Sequence, residues 1–180
     1  MAQESLPVVV KRAEQAYKSG RFRESADLFQ QAARLYDEGG DPLKSAEMAN
    51  NRSVALLQAG DAQAALDAAA GTDQVFAQAG DTQRQALALG NQAAALEAAN
   101  RLDEALARYW ESSNLLKQIG DEENRVPILK SLSALQIRTG HQFEALASME
   151  TALSHQKKLS FQERFLKKLL DVPMRMLRRS

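Results

Sequence analysis

The sequence predicts an all-α fold in which four antiparallel helix pairs stack into a right-handed α-solenoid, with one further helix capping the C-terminal end. The first observation is a motif that recurs every forty residues, at 20–26, 60–66, 100–106 and 140–146, each copy opening on Gly or Asn. The second is glycine at 40, 80 and 120, halfway between these copies. Apolar residues between the glycines follow helical spacing. A repeat of this length indicates stacked helix pairs.

The composition is ordinary for a soluble domain. The 180 residues are 44% hydrophobic and 26% charged, with a formal net charge of zero. Because the chain has no cysteine, it forms neither a disulfide nor a thiolate metal site. The first residues carry no basic region and no long apolar run, so we expect no signal peptide and no membrane span. A cytoplasmic location is the default expectation.

The repeats are predicted at about 5–40, 41–80, 81–120 and 121–159, in a domain covering 1–159. In the first, Pro7 suits an opening helical turn and Gly20 separates the two helices. In the second, Asp41 is a predicted N-cap followed by Pro42. Its second helix is predicted to run unbroken through the alanine-rich segment 62–79.

The third and fourth repeats follow the same plan. The third turns at Asn100, which stands where the other repeats have glycine. In the fourth, Pro127 lies 120 residues after Pro7, so its first helix is predicted to start close to Pro127. Asp121 leaves an earlier start open, because it could cap a helix there.

Small residues recur at three fixed positions of the repeat. Such residues allow neighbouring helices to approach closely, so we expect close helix packing at these positions. They are Ala13, Ser53, Ala93 and Ser133 in the first helices, then Ser25, Ala65, Ala105 and Ala145, and seven positions later Ala32, Thr72, Ser112 and Ala152.

These patterns resemble the tetratricopeptide repeat family over about residues 7–156. Its arrangement of a small residue, a turn glycine, an aliphatic or aromatic residue, and then small, large and small residues is matched twice here. The matches are Ala13, Gly20, Phe22, Ser25, Phe29 and Ala32, and then Ala93, Asn100, Leu102, Ala105, Tyr109 and Ser112. The forty-residue unit is longer than the usual 34 of that family. The chain also has Val9, Ala49, Leu89 and Leu129 where the family has Trp.

The long repeat is similar to the arrays of kinesin light chain and of spindle-orientation adaptors. HEAT and armadillo repeats share this period and are the competing architecture. Their helices lack the small-residue turn pattern, so we rank them second.

The C-terminal segment 160–180 differs from the repeats. Ser160 and Glu163 form a predicted capping box, and an apolar stripe follows at helical spacing: Phe161, Phe165, Leu166, Leu169, Leu170 and Val172. Residues 157–180 hold eight Lys or Arg against two acids, a net +6, which leaves −6 for the rest of the chain. We interpret the helix as a cap over the exposed end of the stack, and we expect Pro173 to kink or end it.

The residues offer no catalytic or metal-binding constellation. His141 and His155 lie in a turn and near a helix end without a partner at metal spacing. The acidic pairs at 103–104 and 122–123 fall at helix N-termini, where the helix dipole favours negative charge. We therefore predict a protein that is not an enzyme and has no metal and no cofactor.

The resemblance to the repeat family implies a peptide-binding groove lined by the first helix of each repeat. Carried over by register, the groove residues are Tyr17, Asn50, Asn51, Val54, Leu57, Asn91, Lys130, Ile137 and Arg138. The three asparagines resemble the amide ladder of the kinesin light chain type, since an amide offers donor and acceptor to a peptide backbone. Asparagines on a solvated helix face are the equal alternative. Val10 and Glu14 stand where the family's carboxylate clamp needs Lys and Asn, so binding of a chaperone tail is unlikely.

These observations favour a non-enzymatic adaptor that captures a protein or peptide partner. The alternative is a peripheral assembly factor on an anionic membrane, bound through Phe161, Phe165, Lys167, Lys168 and Arg175. Nucleic acid is an unlikely partner, because the body is acidic and stacking aromatics are few. Trp110, the sole tryptophan, is expected to be partly buried on the convex side, with a contact site as the second interpretation.

Overall fold

In the computed structural model of the chain, residues 5–177 are described, with side chains as far as residue 170. Within that range the chain is helical throughout and contains no strand. This confirms the all-α class. The helices are α1 Leu6–Lys18, α2 Phe22–Glu38, α3 Pro42–Gln58, α4 Ala62–Ala69, α5 Thr72–Gln78, α6 Thr82–Ala98, α7 Leu102–Gln118, α8 Glu122–Arg138, α9 Gln142–His155 and α10 Phe161–Leu177.

A left-handed residue stands at each of the positions 20, 40, 60, 80, 100, 120 and 140. Six are glycine, and Asn100 is the seventh, with a φ of 59°. The following N–H reaches five residues back, as in Arg21 N to Ala16 O and Arg101 N to Leu96 O, both 2.9 Å. This is the Schellman arrangement that ends helices. Asparagine is tolerated at position 100 because its short polar side chain permits the left-handed region.

The close packing predicted from the small residues is confirmed, since all twelve are buried. In two repeats a serine hydroxyl also bridges the paired helices. Ser25 Oγ donates to the Ala13 carbonyl over 2.9 Å, and Ser133 Oγ donates to the Ala145 carbonyl over 2.7 Å. The same two positions exchange donor and acceptor, so either helix can carry the hydroxyl.

The predicted continuous helix at 62–79 is wrong, because the chain breaks there into α4 and α5. Gly71 adopts a left-handed φ of 75° between them. The Ala69 carbonyl, left without its helical partner, accepts from the Thr72 hydroxyl at 2.8 Å and from Gln92 Nε2 at 3.0 Å. Gln92 Nε2 also lies 2.7 Å from Asp73 Oδ1. A buried polar side chain of α6 therefore satisfies the break.

Two predictions about prolines are corrected. Helix α8 starts at Glu122, where Asp121 Oδ1 accepts from the Asn124 N–H at 3.1 Å, and Pro127 lies inside it. The cap and the turn at Gly120 set the start of α8. Pro173 likewise lies within α10, which continues to Leu177, so the helix does not end at Pro173; a kink there stays a prediction. An interior proline removes one backbone hydrogen bond from its helix, and both helices continue past it.

Helix α10 packs against α9 in the position of a fifth first helix. The predicted capping box is confirmed: Ser160 N–H donates to Glu163 Oε2 at 2.8 Å, and Glu163 N–H donates to Ser160 Oγ at 3.2 Å. The apolar stripe of α10 is covered only in part. Leu170 is buried, whereas the other described members of the stripe, namely Phe161, Phe165, Leu166 and Leu169, are exposed. No second helix follows α10 within the described range to cover them.

Candidate functional site

The face formed by the first helices α1, α3, α6 and α8, here called the first-helix face, carries the predicted groove residues. A cavity of about 240 Å³ opens between α1 and α3. It brings together the predicted Tyr17, Asn51 and Val54, and it is completed by Glu14, Lys18 and Phe29. The aromatic and aliphatic groups offer an apolar surface, and the two charged side chains and the Asn51 amide add polar groups to its lining.

Beside this cavity, two of the predicted asparagines are paired. Asn91 Nδ2 donates to Asn50 Oδ1 over 3.1 Å, which joins α6 to α3 across the first-helix face. Both side chains are half-buried. The pair uses one hydrogen of Asn91 and one oxygen of Asn50, so the Asn50 amide hydrogens and the Asn91 oxygen still point to possible partners. Leu57, two turns beyond Asn50 on α3, is also half-buried.

The predicted cations at the other end of the face are engaged within the protein. Arg138 forms an ion pair with Glu97, and Glu97 also accepts from the Tyr109 hydroxyl at 3.2 Å. Burial, with the nearby Glu97 carboxylate, raises the pKa of Tyr109, so this hydroxyl keeps its proton and donates it. Lys130 Nζ lies 2.6 Å from Glu163 Oε1 and ties α8 to α10. Ile137 remains exposed and lies outside the cavity that holds Tyr17.

A larger groove on the other side of the stack was missed by sequence reasoning. It has a volume of about 610 Å³ and is lined by α7, α8, α9 and the turn before α9: Leu106, Ala107, Trp110, Glu111, Leu132, Gln136, His141 and Glu144. Trp110 is 62% exposed, so the expected partial burial is wrong. The available signal was its position next to the core residue Tyr109, because adjacent helical residues point about 100° apart and Trp110 is therefore turned away from the direction of Tyr109.

The predicted membrane or partner surface on α10 is brought together in part. Phe161, Arg164, Phe165 and Lys168 line one shallow groove of about 370 Å³. Lys167 is half-buried on the same helix. The side chain of Arg175 lies outside the described residues.

The two histidines are bonded locally. His141 Nδ1 lies 2.9 Å from Thr139 Oγ1, and His155 Nδ1 lies 2.9 Å from the Thr151 carbonyl. Among the described residues, no three acidic or histidine side chains come together as metal ligands would. In the same part of the chain, no helix combines the length and apolar character needed to cross a bilayer.

Comparison with known proteins identifies the architecture. No protein-family model and no curated protein matches the sequence. Solved structures match closely in shape: BtubC (BKLC) from P. vanneervenii superposes with a TM-score of 0.75 over 89% of this chain and 72% of its own, at 15% identity. The protein has the tetratricopeptide-type repeat fold. A protein of Podosopora anserina with nearly identical TPR-like repeats of the kinesin light chain type matches as well.

That second TPR-like structure has a TM-score of 0.73 and covers 96% of this chain and 93% of its own, at 14% identity. A single-residue variant of it matches with the same TM-score and identity. The resemblance to the tetratricopeptide repeat family, which rests partly on small residues at fixed repeat positions, is thereby confirmed. The HEAT or armadillo alternative is set aside. At such low identity the likeness establishes the TPR-like fold alone.

Proposed function

We propose that the protein is a non-enzymatic, cytoplasmic interaction scaffold that holds a peptide segment of a partner protein on its first-helix face. The observation that carries the proposal is the cavity between α1 and α3, where Tyr17, Asn51 and Val54 meet, with the Asn50–Asn91 amide pair beside it. TPR-like neighbours support the same class of function, since this fold presents a continuous helical face.

The chemistry of the cavity suits one apolar side chain of the bound peptide. Tyr17, Phe29 and Val54 supply the apolar contact, which provides most of the affinity in such pockets. The unused donor of Asn50 and acceptor of Asn91 suit the carbonyl and N–H of an extended backbone. The ligand is therefore expected to bind as an extended segment with one large apolar residue.

The test is selection of binding peptides from a displayed library, followed by Kd measurement with purified variants. Val54→Asp should weaken the selected peptides by about 100-fold, and Asn91→Ala by about tenfold, because the first adds a charge to the pocket and the second removes backbone bonds. Asn114→Ala on α7 is the matched control and should leave the Kd unchanged. Equal affinity for all three variants, each shown to be folded by circular dichroism, would refute the proposal.

A second candidate function is membrane association through α10. The favouring observation is the exposed pair Phe161 and Phe165 with Arg164 and Lys168 beside it, a combination suited to an anionic lipid surface. In flotation with vesicles containing anionic lipid, the full chain should float, and both Phe165→Asp and a chain ending at Ser160 should not. Equal and negligible flotation of all three would exclude this function.

A further inference from the structure

The groove around Trp110 has a lining that combines apolar and acidic side chains. Its walls come from the second helices α7 and α9, and its floor comes from Leu132 and Gln136 of α8. Leu106 and Trp110, one turn apart on α7, supply the apolar wall. A large exposed tryptophan over an apolar floor is the kind of residue that dominates binding energy at protein interfaces.

The groove also has a charge preference. Glu111 lies on the α7 side and Glu144 on the α9 side. Glu111 Oε2 lies 3.3 Å from Arg108 Nη1, and the side chains of both residues are substantially exposed. Carboxylates on both sides of an apolar channel favour an apolar helix flanked by cations.

The chain itself carries such a helix. On α10, Phe161, Phe165 and Leu169 are spaced four residues apart and form a ridge about 12 Å long. They are 80%, 59% and 55% exposed. Arg164 and Lys168 stand beside this ridge. The ridge and the groove are thus matched in both apolar character and charge, in a molecule whose basic end and acidic body carry +6 and −6.

Helix α10 is held away from its own groove. Its first turn is fixed to α8 by the Lys130–Glu163 ion pair, and the helix packs on α9. The groove opens between α7 and α9, one helix pair back along the stack. A contact between ridge and groove therefore requires two molecules.

We infer that the protein self-associates, with the Phe161–Phe165–Leu169 ridge of one copy bound in the Trp110 groove of a second copy. This goes beyond the peptide-binding role proposed above and uses a different surface. The binding mode is a helix laid in an apolar groove, with Arg164 and Lys168 placed against the acidic rim. Charge complementarity makes the association weaken as salt concentration rises.

The test measures solution mass by light scattering across a wide concentration range, together with the emission of Trp110, which is the only tryptophan. The wild-type mass should rise above the 19.8 kDa of one chain as concentration increases, and Trp110 emission should shift to shorter wavelength as the indole is covered. Trp110→Ala and Phe165→Glu should each raise the dissociation constant by about tenfold or more. Asp103→Ala, an exposed acid on α7 that does not line the groove, is the matched control.

A mixture of the two variants gives the decisive measurement. Phe165→Glu keeps the groove and its tryptophan, and Trp110→Ala keeps the ridge but has no tryptophan. At a concentration where the wild-type chain associates, each variant alone should be largely monomeric. Mixing should restore the emission shift, because the ridge of one variant fills the groove of the other. A wild-type chain that is monomeric throughout, or a mixture with unshifted emission, overturns the inference. The inference is also overturned if the protein stays monomeric and Trp110→Ala floats with vesicles as well as the wild type does. In that case the ridge binds lipid and not the groove of a second copy.

Discussion

Gly90 is a residue at which the third and fourth repeats approach closely. It is buried within α6, where a Cβ would lie 2.7 Å from Ile128 Cδ1 of α8 and 3.4 Å from Ser112 Oγ of α7. Its φ is that of an ordinary helical residue, so the backbone itself would accept alanine. Glycine is required here by the lack of space for a Cβ and not by the backbone conformation. The atom in the way is the end of the flexible Ile128 side chain.

A double-mutant cycle tests this reading. Gly90→Ala should destabilise the protein by about 1 kcal/mol, because the overlap with Ile128 outweighs the gain in helix propensity. In an Ile128→Val background, which lacks Cδ1, the same change should stabilise by about 0.5 kcal/mol. Urea denaturation of the four proteins measures the coupling. Additive effects in the two backgrounds would show that Ile128 does not restrict position 90.

Gln92 is a buried residue of α6 whose side chain bonds the second repeat. Its amide bonds the Ala69 carbonyl and the Asp73 carboxylate at the break between α4 and α5. Gln92→Leu should cost about 1–3 kcal/mol of unfolding free energy, because a buried polar group loses its partner. Gln74→Leu on the exposed side of α5 is the control and should change stability by less than about 0.5 kcal/mol. If both variants lose the same free energy of unfolding, the loss comes from the added apolar surface and not from the missing Gln92 hydrogen bonds.

At the scale of the element, α10 is held by one carboxylate with several partners. The Lys130 ammonium, followed by the Ser160 backbone and hydroxyl, lowers the pKa of Glu163 from 4.5 to about 2. A lowered folded-state pKa means that the charged carboxylate favours the folded state. The resulting stability is fully present above pH 4.5 and is lost as the pH falls through about 2.

Glu163→Gln isolates this charge, because glutamine can still complete the capping box. Wild type should therefore denature at a higher temperature than Glu163→Gln above pH 4.5, and the difference should vanish as the pH approaches 2. Thermal denaturation followed by circular dichroism measures both curves, and Lys130→Met should reproduce the loss. A constant difference between wild type and Glu163→Gln down to pH 2 would show that the titration of Glu163 does not control α10.

The elements also show what a sequence can predict in a repeat protein. The turns and the buried small residues were predictable, because each repeat imposes the same local requirement. A turn needs a left-handed residue, as at Gly20 or Asn100, and a close helix contact needs a small side chain, as at Ala93 or Ala105. The break at Gly71 was not, since the freed Ala69 carbonyl is satisfied by Gln92, twenty-three residues away. Residues of the first-helix cavity were predicted from their register in the repeat, but the cavity contains only some of the predicted groove residues.

Side-chain pairs between repeats escaped prediction for the same reason. Lys130 and Arg138 were expected to face a ligand, yet each meets a carboxylate, Glu163 and Glu97, supplied by another repeat or by α10. These pairs do not recur with the forty-residue period. Trp110 was misjudged because a single large apolar residue breaks the pattern of its own helix face.

At the scale of the whole molecule, the stack is held by contacts between successive helices, so its stability varies along its length. The second repeat should be the weakest. Its second helix is divided into segments of 8 and 7 residues, which are too short to form without tertiary support. The third repeat has an unbroken 17-residue second helix with Tyr109 and Leu116 in the core.

Hydrogen–deuterium exchange followed by mass spectrometry can resolve this difference. Amides of α4 and α5 should exchange faster than those of α7, by about tenfold or more, because local opening there costs at least about 1.4 kcal/mol less. Gly71→Ala should increase this difference in exchange rate, because alanine is strained in the left-handed conformation. Strain is the only cost, since a Cβ at position 71 would meet nothing within 4 Å. Protection that is equal in α4, α5 and α7 would mean that the stack opens only as a single cooperative unit.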